Sequence, residues 1–408
     1  VDGCPQGSIS GPFIWNILMD VLLHRLEAHC TISAYADDLM LLIEGESRSQ
    51  LELKGAQLME IVGGWGIEVG VSVSATKTVT MLLKGKLSTG RPPAVSFAGA
   101  NLRYVTQYRY LGITVGERLS FLPHITYIRD RLTGVVGALT RVLRVDWGLS
   151  PQARRRIYAG LMVPCALFGA SVWYKMAMRL VGARRALKSC HRRILLGCLP
   201  TCRTVSTDAL EVLAGAPPLD LVAMRTAMQF KLKRNYPMVE GDWLYDQDVS
   251  TLDRRTRRAM LDERIFAEWQ LRWDDSEHGR VTHKFIPDVS YVFSRPDFKF
   301  TMHGSYFITG HGSLNAFLHE RGLSETAGCL CGNPIEDWRH VLCACPLYAD
   351  VRDLERLRIQ QDESGELIFT QAVTSMQLLD DYAHIVFSRR RMLMIQEDAG
   401  RPGRPVPD

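Results

Sequence analysis

The 408-residue chain contains no run of about twenty consecutive apolar residues, so no segment has the length and apolarity of a membrane-crossing helix, and no membrane partner is expected. No internal repeat is evident. The chain lacks an initiator methionine, starting instead at Val1, and the simplest expectation is a fragment of a longer chain. It also lacks the cysteine framework of a small secreted protein. Its ten cysteines are scattered through helical segments and then clustered near the end, a usage that points to reduced thiols in an intracellular protein. Acidic side chains are almost missing from Arg129 to Arg203, where only Asp130 and Asp146 face a strip of arginines and lysines that includes Arg154, Arg155, Arg156, Arg184, Arg185 and Lys188. The net charge is only +5, so this basic character is local. What the chain does have is length, with 46% hydrophobic residues, enough for two or three domains each with its own core.

Within the first hundred residues an apolar run breaks at Tyr35-Ala36-Asp37-Asp38 and resumes as Leu39-Met40-Leu41-Leu42-Ile43. Thr31 to Ile43 reads as two short buried strands joined by a tight turn, with both aspartates at its tip. Paired carboxylates on a rigid hairpin suit a divalent cation that activates a hydroxyl and neutralises a triphosphate, although Asp-Asp also serves as an ordinary turn pair. Upstream, the Gly/Ser/Pro-rich stretch Gly3 to Pro12 runs into Ile14, Ile17, Leu18, Val21, Leu22 and Leu26 at helical spacing. Ser10 is placed to cap that helix and Pro12 suits its first turn. Downstream, Ser74-Ala75-Thr76-Lys77-Thr78 precedes a strand-like Val79 to Leu83, and Tyr108 to Ile113 closes a hairpin.

The order Pro5-Gln6-Gly7-Ser8, then Tyr35-Ala36-Asp37-Asp38, then Lys77-Thr78, then Tyr110-Leu111-Gly112 resembles the second half of the palm in non-LTR retrotransposon reverse transcriptases. The resemblance implies that Asp37 and Asp38 bind the catalytic magnesium (or manganese), with Tyr35 and Ala36 beside the primer end. It puts Gln6 and Gly7 at the incoming nucleotide and its template base, Lys77 near the leaving pyrophosphate, and Tyr110, Leu111 and Gly112 in the primer grip. Family polymerases carry another catalytic aspartate on an earlier strand, before the Gln-Gly loop. This chain is therefore expected to lack the fingers and the first metal-binding strand and to be inactive alone.

From about Ser120 to Asn235 amphipathic helical patterns replace strands, at the family's thumb position, and the basic strip there could neutralise phosphates of a template-primer duplex. An ordinary solvated helix face is the alternative, and Trp147, Trp173 and Tyr174 read as core. Cys190, His191, Cys198 and Cys202 lie among leucines and read as buried small residues rather than metal ligands. The stretch 241–308 mixes charge and tryptophan and reads as linker and solvated helix with no assigned chemistry.

Cys329 and Cys331, followed by His340 and Cys345, offer three thiolates and an imidazole for a closed tetrahedral zinc site, whose folding energy would come largely from the metal. Cys343 is a substitute candidate, and the one-residue spacing of the first pair is tighter than usual. The family likewise has a Cys-Cys-His-Cys element beyond the thumb, and Thr309 to Gly312 and Cys345 to Tyr348 add to the likeness. A nucleic-acid role is expected for this knuckle, flanked by Arg339, Arg352 and Arg356.

The expected fold class is α+β: residues 1–115 form half of a right-hand polymerase palm of β-hairpins plus helices, 116–240 a helical thumb, 241–308 a linker, 309–395 a nucleic-acid-binding region with a zinc knuckle, and 396–408 a disordered tail. Details such as Gly3 to Gly7 and the terminal Cys-Cys-His-Cys look most like the Pol polyprotein of type-1 elements that insert into arthropod ribosomal DNA. The resemblance implies RNA-directed DNA polymerase activity in target-primed reverse transcription, with RNA template, DNA primer or target DNA and dNTPs as partners, acting on chromosomal DNA in the nucleus. It carries no implication for oligomeric state. A nucleic-acid-binding module, or a C-terminal endonuclease portion, is the alternative. Pro287-Asp288 and Pro296-Asp297 precede the knuckle rather than follow it, which argues against a nuclease site here.

Overall fold

The computed structural model describes residues 7–83, 91–139, 150–249, 251–293, 300–355, 357, 359–361, 367–369 and 376–399. The fold is helix-rich α+β and divides into two compact units, Val1–His124 and Ile125–Asp408.

The first unit opens with α1 (Gly11–Glu27), followed by the hairpin β1 (Thr31–Tyr35) and β2 (Asp38–Leu42), then α2 (Arg48–Val69). Pro12 sits in the first turn of α1 as expected, but the side chain that accepts the Gly11 N–H is Ser8 Oγ at 3.1 Å, not that of Ser10. Only part of the α1 stripe is buried. Met19, Leu22 and Leu26 join Leu58, Val62 and Trp65 of α2 in the core, whereas Ile14, Ile17 and Val21 face solvent. Ser47 Oγ caps α2 by accepting the Gln50 N–H at 3.2 Å. Gly70 ends that helix at φ +70°, where a side chain would be strained. Short strands follow: β3 (Val79–Thr80), β4 (Ser96–Phe97), β5 (Ala100–Asn101), β6 (Arg103–Tyr104), β7 (Gln107–Tyr110) and β8 (Ile113–Gly116). β3 is shorter than the expected Val79 to Leu83, because its parallel partner β6 matches it for two residue pairs only.

The hairpin of β1 and β2 forms where the sequence pattern puts it, but its strands are half-buried rather than buried. Ile32, Leu39 and Leu41 pack on the helices while Met40 and Leu42 remain 44% and 40% exposed. The described sheet has two strands, and only one of its faces meets α1 and α2.

Helices dominate the rest: α3 (Leu122–Leu139), α4 (Pro151–Ile157), a π-helical turn (Tyr158–Met162), α5 (Val163–Ala166), α6 (Ala170–Ala177), α7 (Val181–Cys198), α8 (Thr207–Ala214) and α9 (Leu219–Arg234). After them come α10 (Arg254–Asp275), α11 (Arg280–Phe285), α12 (Val289–Phe293), α13 (Met302–Thr309), α14 (Asn315–Glu320), α15 (Trp338–Cys343), the pair β9 (Ile359–Gln361) and β10 (Leu367–Phe369), and α16 (Met376–Ala399). Trp173 and Tyr174 are buried as expected, and Trp147 lies outside the described residues.

The stretch expected to mix a linker with solvated helices carries a buried apolar stripe. Leu261, Ile265, Trp269 and Trp273 recur every fourth residue along α10 and are buried, the last three with Phe285, Ile286, Val289 and Val292 in one cluster. That cluster continues to Phe307, Val341, Tyr348 and Val386. The mixed charge of this stretch occupies the outer faces of helices whose inner stripe is apolar. α16 continues to Ala399, so the tail expected from residue 396 starts inside a helix, and residues 400–408 lie outside the described set.

Candidate active site and metal centre

Tyr35 pairs with Asp38 across the ladder, leaving Ala36 and Asp37 as a two-residue turn. Ala36 has φ +52°, a left-handed conformation that costs an L-residue roughly 1–2 kcal/mol. Its carbonyl accepts the indole N–H of Trp15 at 2.8 Å, which ties the tip of the turn to α1. Both aspartates and Tyr35 are exposed, so two adjacent carboxylates stand at a held turn with free access from solvent. Trp15 escaped the sequence reading. Its signal was an aromatic on the core side of the apolar α1 pattern, but its partner is a backbone carbonyl and leaves no trace in side-chain spacing.

Gln6 lies outside the described residues, and Gly7, at φ +85°, precedes α1 in a conformation natural only to glycine. Lys77 is exposed in a turn closed by its N–H to the Ser74 carbonyl at 3.3 Å. Among the described ion pairs none joins Lys77 to Asp37 or Asp38. Tyr110 and Ile113 pair at the end of the β7 and β8 hairpin, whose turn residues Leu111 and Gly112 both have positive φ, 46° and 85°. That is the pattern of a type I′ turn, which matches the twist of a two-residue hairpin. The structure thus forms the two hairpins and the lysine turn as separate local features.

In the second unit the four ligand atoms of Cys329, Cys331, His340 and Cys345 all lie within 4.8 Å of one another. Cys329 Sγ and Cys345 Sγ are 3.8 Å apart, and Cys331 Sγ is 3.3 Å from His340 Nε2. A tetrahedron with metal–sulfur bonds of about 2.3 Å sets its sulfurs roughly 3.8 Å apart, so the donor set and its spacing fit zinc. Local backbone bonds build the cage. Cys329 N–H donates to the Asn333 carbonyl at 2.8 Å and Gly332 N–H to the Cys329 carbonyl at 2.9 Å, with Gly332 at φ +94° turning the chain. Asp337 caps α15 by accepting the His340 N–H at 2.7 Å, and Cys345 N–H returns to the His340 carbonyl at 2.8 Å. Cys343 is not part of the set. Burial pushes the thiols of Cys329 and Cys345 up and the His340 imidazole down. Burial opposes the thiolate of Cys331 as well, yet the Asn333 N–H and the neighbouring thiol of Cys329 hold it below the usual thiol range.

The basic strip is partly structural. Arg192 donates to the carbonyls of Val205 and Arg203, Arg193 to Thr133 Oγ1 at 3.0 Å, and Lys188 to Asp208 at 2.6 Å. Arg154 is 5% exposed. Arg184 and Arg185 lie on the outer face of α7, opposite buried Ala183, Leu187, Cys190 and Ile194. His191 is no metal ligand but the centre of a buried chain, with Nε2 2.9 Å from the Tyr158 hydroxyl and Nδ1 2.9 Å from Glu211 Oε1. Arg141, Arg144 and Arg356 lie outside the described residues.

Residues 1–115 match the family model for reverse transcriptase, an RNA-dependent DNA polymerase. Over 378 residues the chain is 40% identical to a retrovirus-related Pol polyprotein from type-1 retrotransposable element R1 2 of Nasonia vitripennis, covering 91% of this chain and 92% of that protein. The chain belongs to the Pol polyproteins of type-1 R1 retrotransposable elements. This R1 Pol chain is also 59% identical over 396 residues to a 115 kDa protein in type-1 element R1DM of Drosophila melanogaster, covering 96% of this chain and 38% of that protein. A third relative, the R1 Pol polyprotein of Bradysia coprophila, is 42% identical over 398 residues, covering 96% of this chain and 39% of that protein. The chain therefore spans about two fifths of the length of these last two relatives. No solved structure gives a significant match.

Proposed function

We propose that this R1 Pol segment supplies half of a polymerase palm, a helical thumb and a nucleic-acid-binding C-terminal region, and that its parent protein copies RNA into DNA from a nicked target in the nucleus. The observation that carries the reading is the Asp37-Asp38 turn, inside the segment that matches the reverse transcriptase family. Two exposed carboxylates on one tied turn are hard oxygen donors and fit magnesium or manganese. When bound, the cation would neutralise the triphosphate of a dNTP and lower the barrier to attack by the primer hydroxyl. Asp37 and Asp38 hold that position, and Tyr35 and Ala36 line the primer end beside it. Gln6 and Gly7 contact the incoming nucleotide and template base. Lys77 offers a positive charge or a proton to the leaving pyrophosphate. Tyr110, Leu111 and Gly112 grip the primer.

Cys329, Cys331, His340 and Cys345 would hold zinc. With four protein ligands the site has no open position, so its role is to fold a surface for element RNA or target DNA rather than to catalyse. An endonuclease centre in this segment has no support. Asp288 Oδ1 accepts the Ser290 N–H at 2.8 Å at the start of α12, and Asp297 lies outside the described residues.

The test is RNA-templated primer extension with magnesium by a protein that joins this chain to a family-type N-terminal polymerase segment. Extension that is abolished by Asp37→Ala supports the reading. Extension that survives Asp37→Ala overturns the metal role of that residue, and template-primer binding without any extension by the folded unmutated protein turns the reading toward a binding module.

A further inference from the structure

Behind the knuckle lies a fully bonded polar network that neither the polymerase reading nor the four ligands require. Glu336 is 0% exposed, and Arg390 of α16 grips it with two hydrogen bonds, Nε to Oε1 at 2.9 Å and Nη2 to Oε2 at 2.7 Å. Arg390 Nη2 also donates to Asn315 Oδ1 at 2.8 Å. Asn315 in turn donates its N–H to Glu336 Oε2 at 2.8 Å and its side-chain amide to the Gly328 carbonyl, next to Cys329, at 2.7 Å. Glu336 Oε1 lies 3.9 Å from Cys329 Sγ, and the Glu336 N–H donates to the Ala327 carbonyl at 2.7 Å, closing the knuckle loop. Arg390 and Asn315 are themselves only 5% and 7% exposed.

We propose that Glu336, Asn315 and Arg390 are positioning residues that couple metal occupancy of the knuckle to docking of the C-terminal helix α16. The proposal rests on the reading of the knuckle as a zinc site. Three thiolates and an imidazole around a dication leave one net negative charge, and Glu336 adds another beside Cys329. Arg390 is the cation that meets this charge in a buried setting, where removing one partner leaves the other uncompensated. In the other direction, the loop that presents Glu336 and the Gly328 carbonyl is closed by short backbone bonds and by the metal. Losing the metal frees that loop and with it the receptor for Arg390. Because the coupling is between two binding equilibria, each stabilises the other by the same factor. Residues that orient metal ligands from behind commonly change metal affinity by about 10–100-fold when altered.

The experiment uses the full 408-residue chain. Bound zinc is counted by native mass spectrometry, zinc affinity is measured by competition with a chromophoric chelator, and amide hydrogen exchange is followed with and without zinc. The expected result is that zinc removal strips protection from α16 while α10 stays protected. Arg390→Met weakens zinc by about tenfold or more, and Glu336→Gln combined with Arg390→Met loses less than the sum of the single changes. Met392→Ala, at a side chain of the same helix that is 59% exposed, leaves zinc affinity unchanged. If the protein binds zinc but α16 exchanges alike with and without it, or if α10 is lost together with α16, the coupling is wrong and the zinc reading stands. If no zinc binds, both fail. The metal-removal arm needs no substitution, so it decides the matter even if a variant fails to fold.

Discussion

At Ala36 the backbone adopts φ +52° without the relief that glycine would bring, and the strain is held by β1, β2 and the Trp15 bond. Strained turn residues that the surroundings over-determine are a recurring property of reactive sites. Ala36→Val should destabilise the first unit by about 1–2 kcal/mol, since a β-branched side chain resists this region more, and Ala36→Gly should leave it equal or more stable. Denaturant unfolding of both variants checks this, and a valine variant as stable as wild type would mean that the turn has another conformation. Asp242 gives a second residue-scale prediction. Burial works against its charge, yet hydrogen bonds from Lys231, the Val239 N–H and Tyr174 hold its carboxyl below the usual carboxylate range. A depressed folded pKa means stability that is fully present above the ordinary carboxylate value of about 4 and is lost as pH falls through the folded value. Asp242→Asn should therefore lower Tm above pH about 4 and converge with wild type in acid, which a pH series of thermal melts would show.

Among the elements, α10 is the most instructive. Its charges suggested a solvated connector, but the four-residue recurrence of Leu261, Ile265, Trp269 and Trp273 is a helical core stripe, present in the sequence all along. Trp269→Ala should cost about 3–5 kcal/mol, the range for removing a large buried aromatic. A linker would tolerate the change with little loss of Tm, so differential scanning calorimetry separates the two descriptions. Limited trypsin digestion adds a second check, because the Arg254 to Arg258 segment should resist cleavage in the wild type until the surrounding core opens.

At the scale of the whole molecule, the basic strip is split between arginines that stitch helices together and arginines that stand outward. Arg192 and Arg193 belong to the first kind, and Arg184 and Arg185 to the second. If the outward set meets a template-primer duplex, alanine at Arg184 and Arg185 should weaken binding regardless of sequence. The slope of log affinity against log salt should become shallower by about 0.9 for each phosphate that is no longer neutralised. Fluorescence anisotropy over a salt series measures it, and an unchanged slope would assign these residues to a solvated face.

The two hairpins, the helical run that follows them and the metal-ligand set were legible from sequence alone, because each depends on near neighbours: two-residue turns, alternating strands, helical repeats and four ligands within seventeen positions, Cys329 to Cys345. The tertiary structure decided what depends on distant partners. It set Trp15 under Ala36 across 21 residues, left half of the α1 stripe in solvent, and joined Arg390 to Glu336 across 54. Spacing reports which face of an element a side chain occupies, but what covers that face is settled only when the chain folds back on itself and every buried charge must find its counterpart.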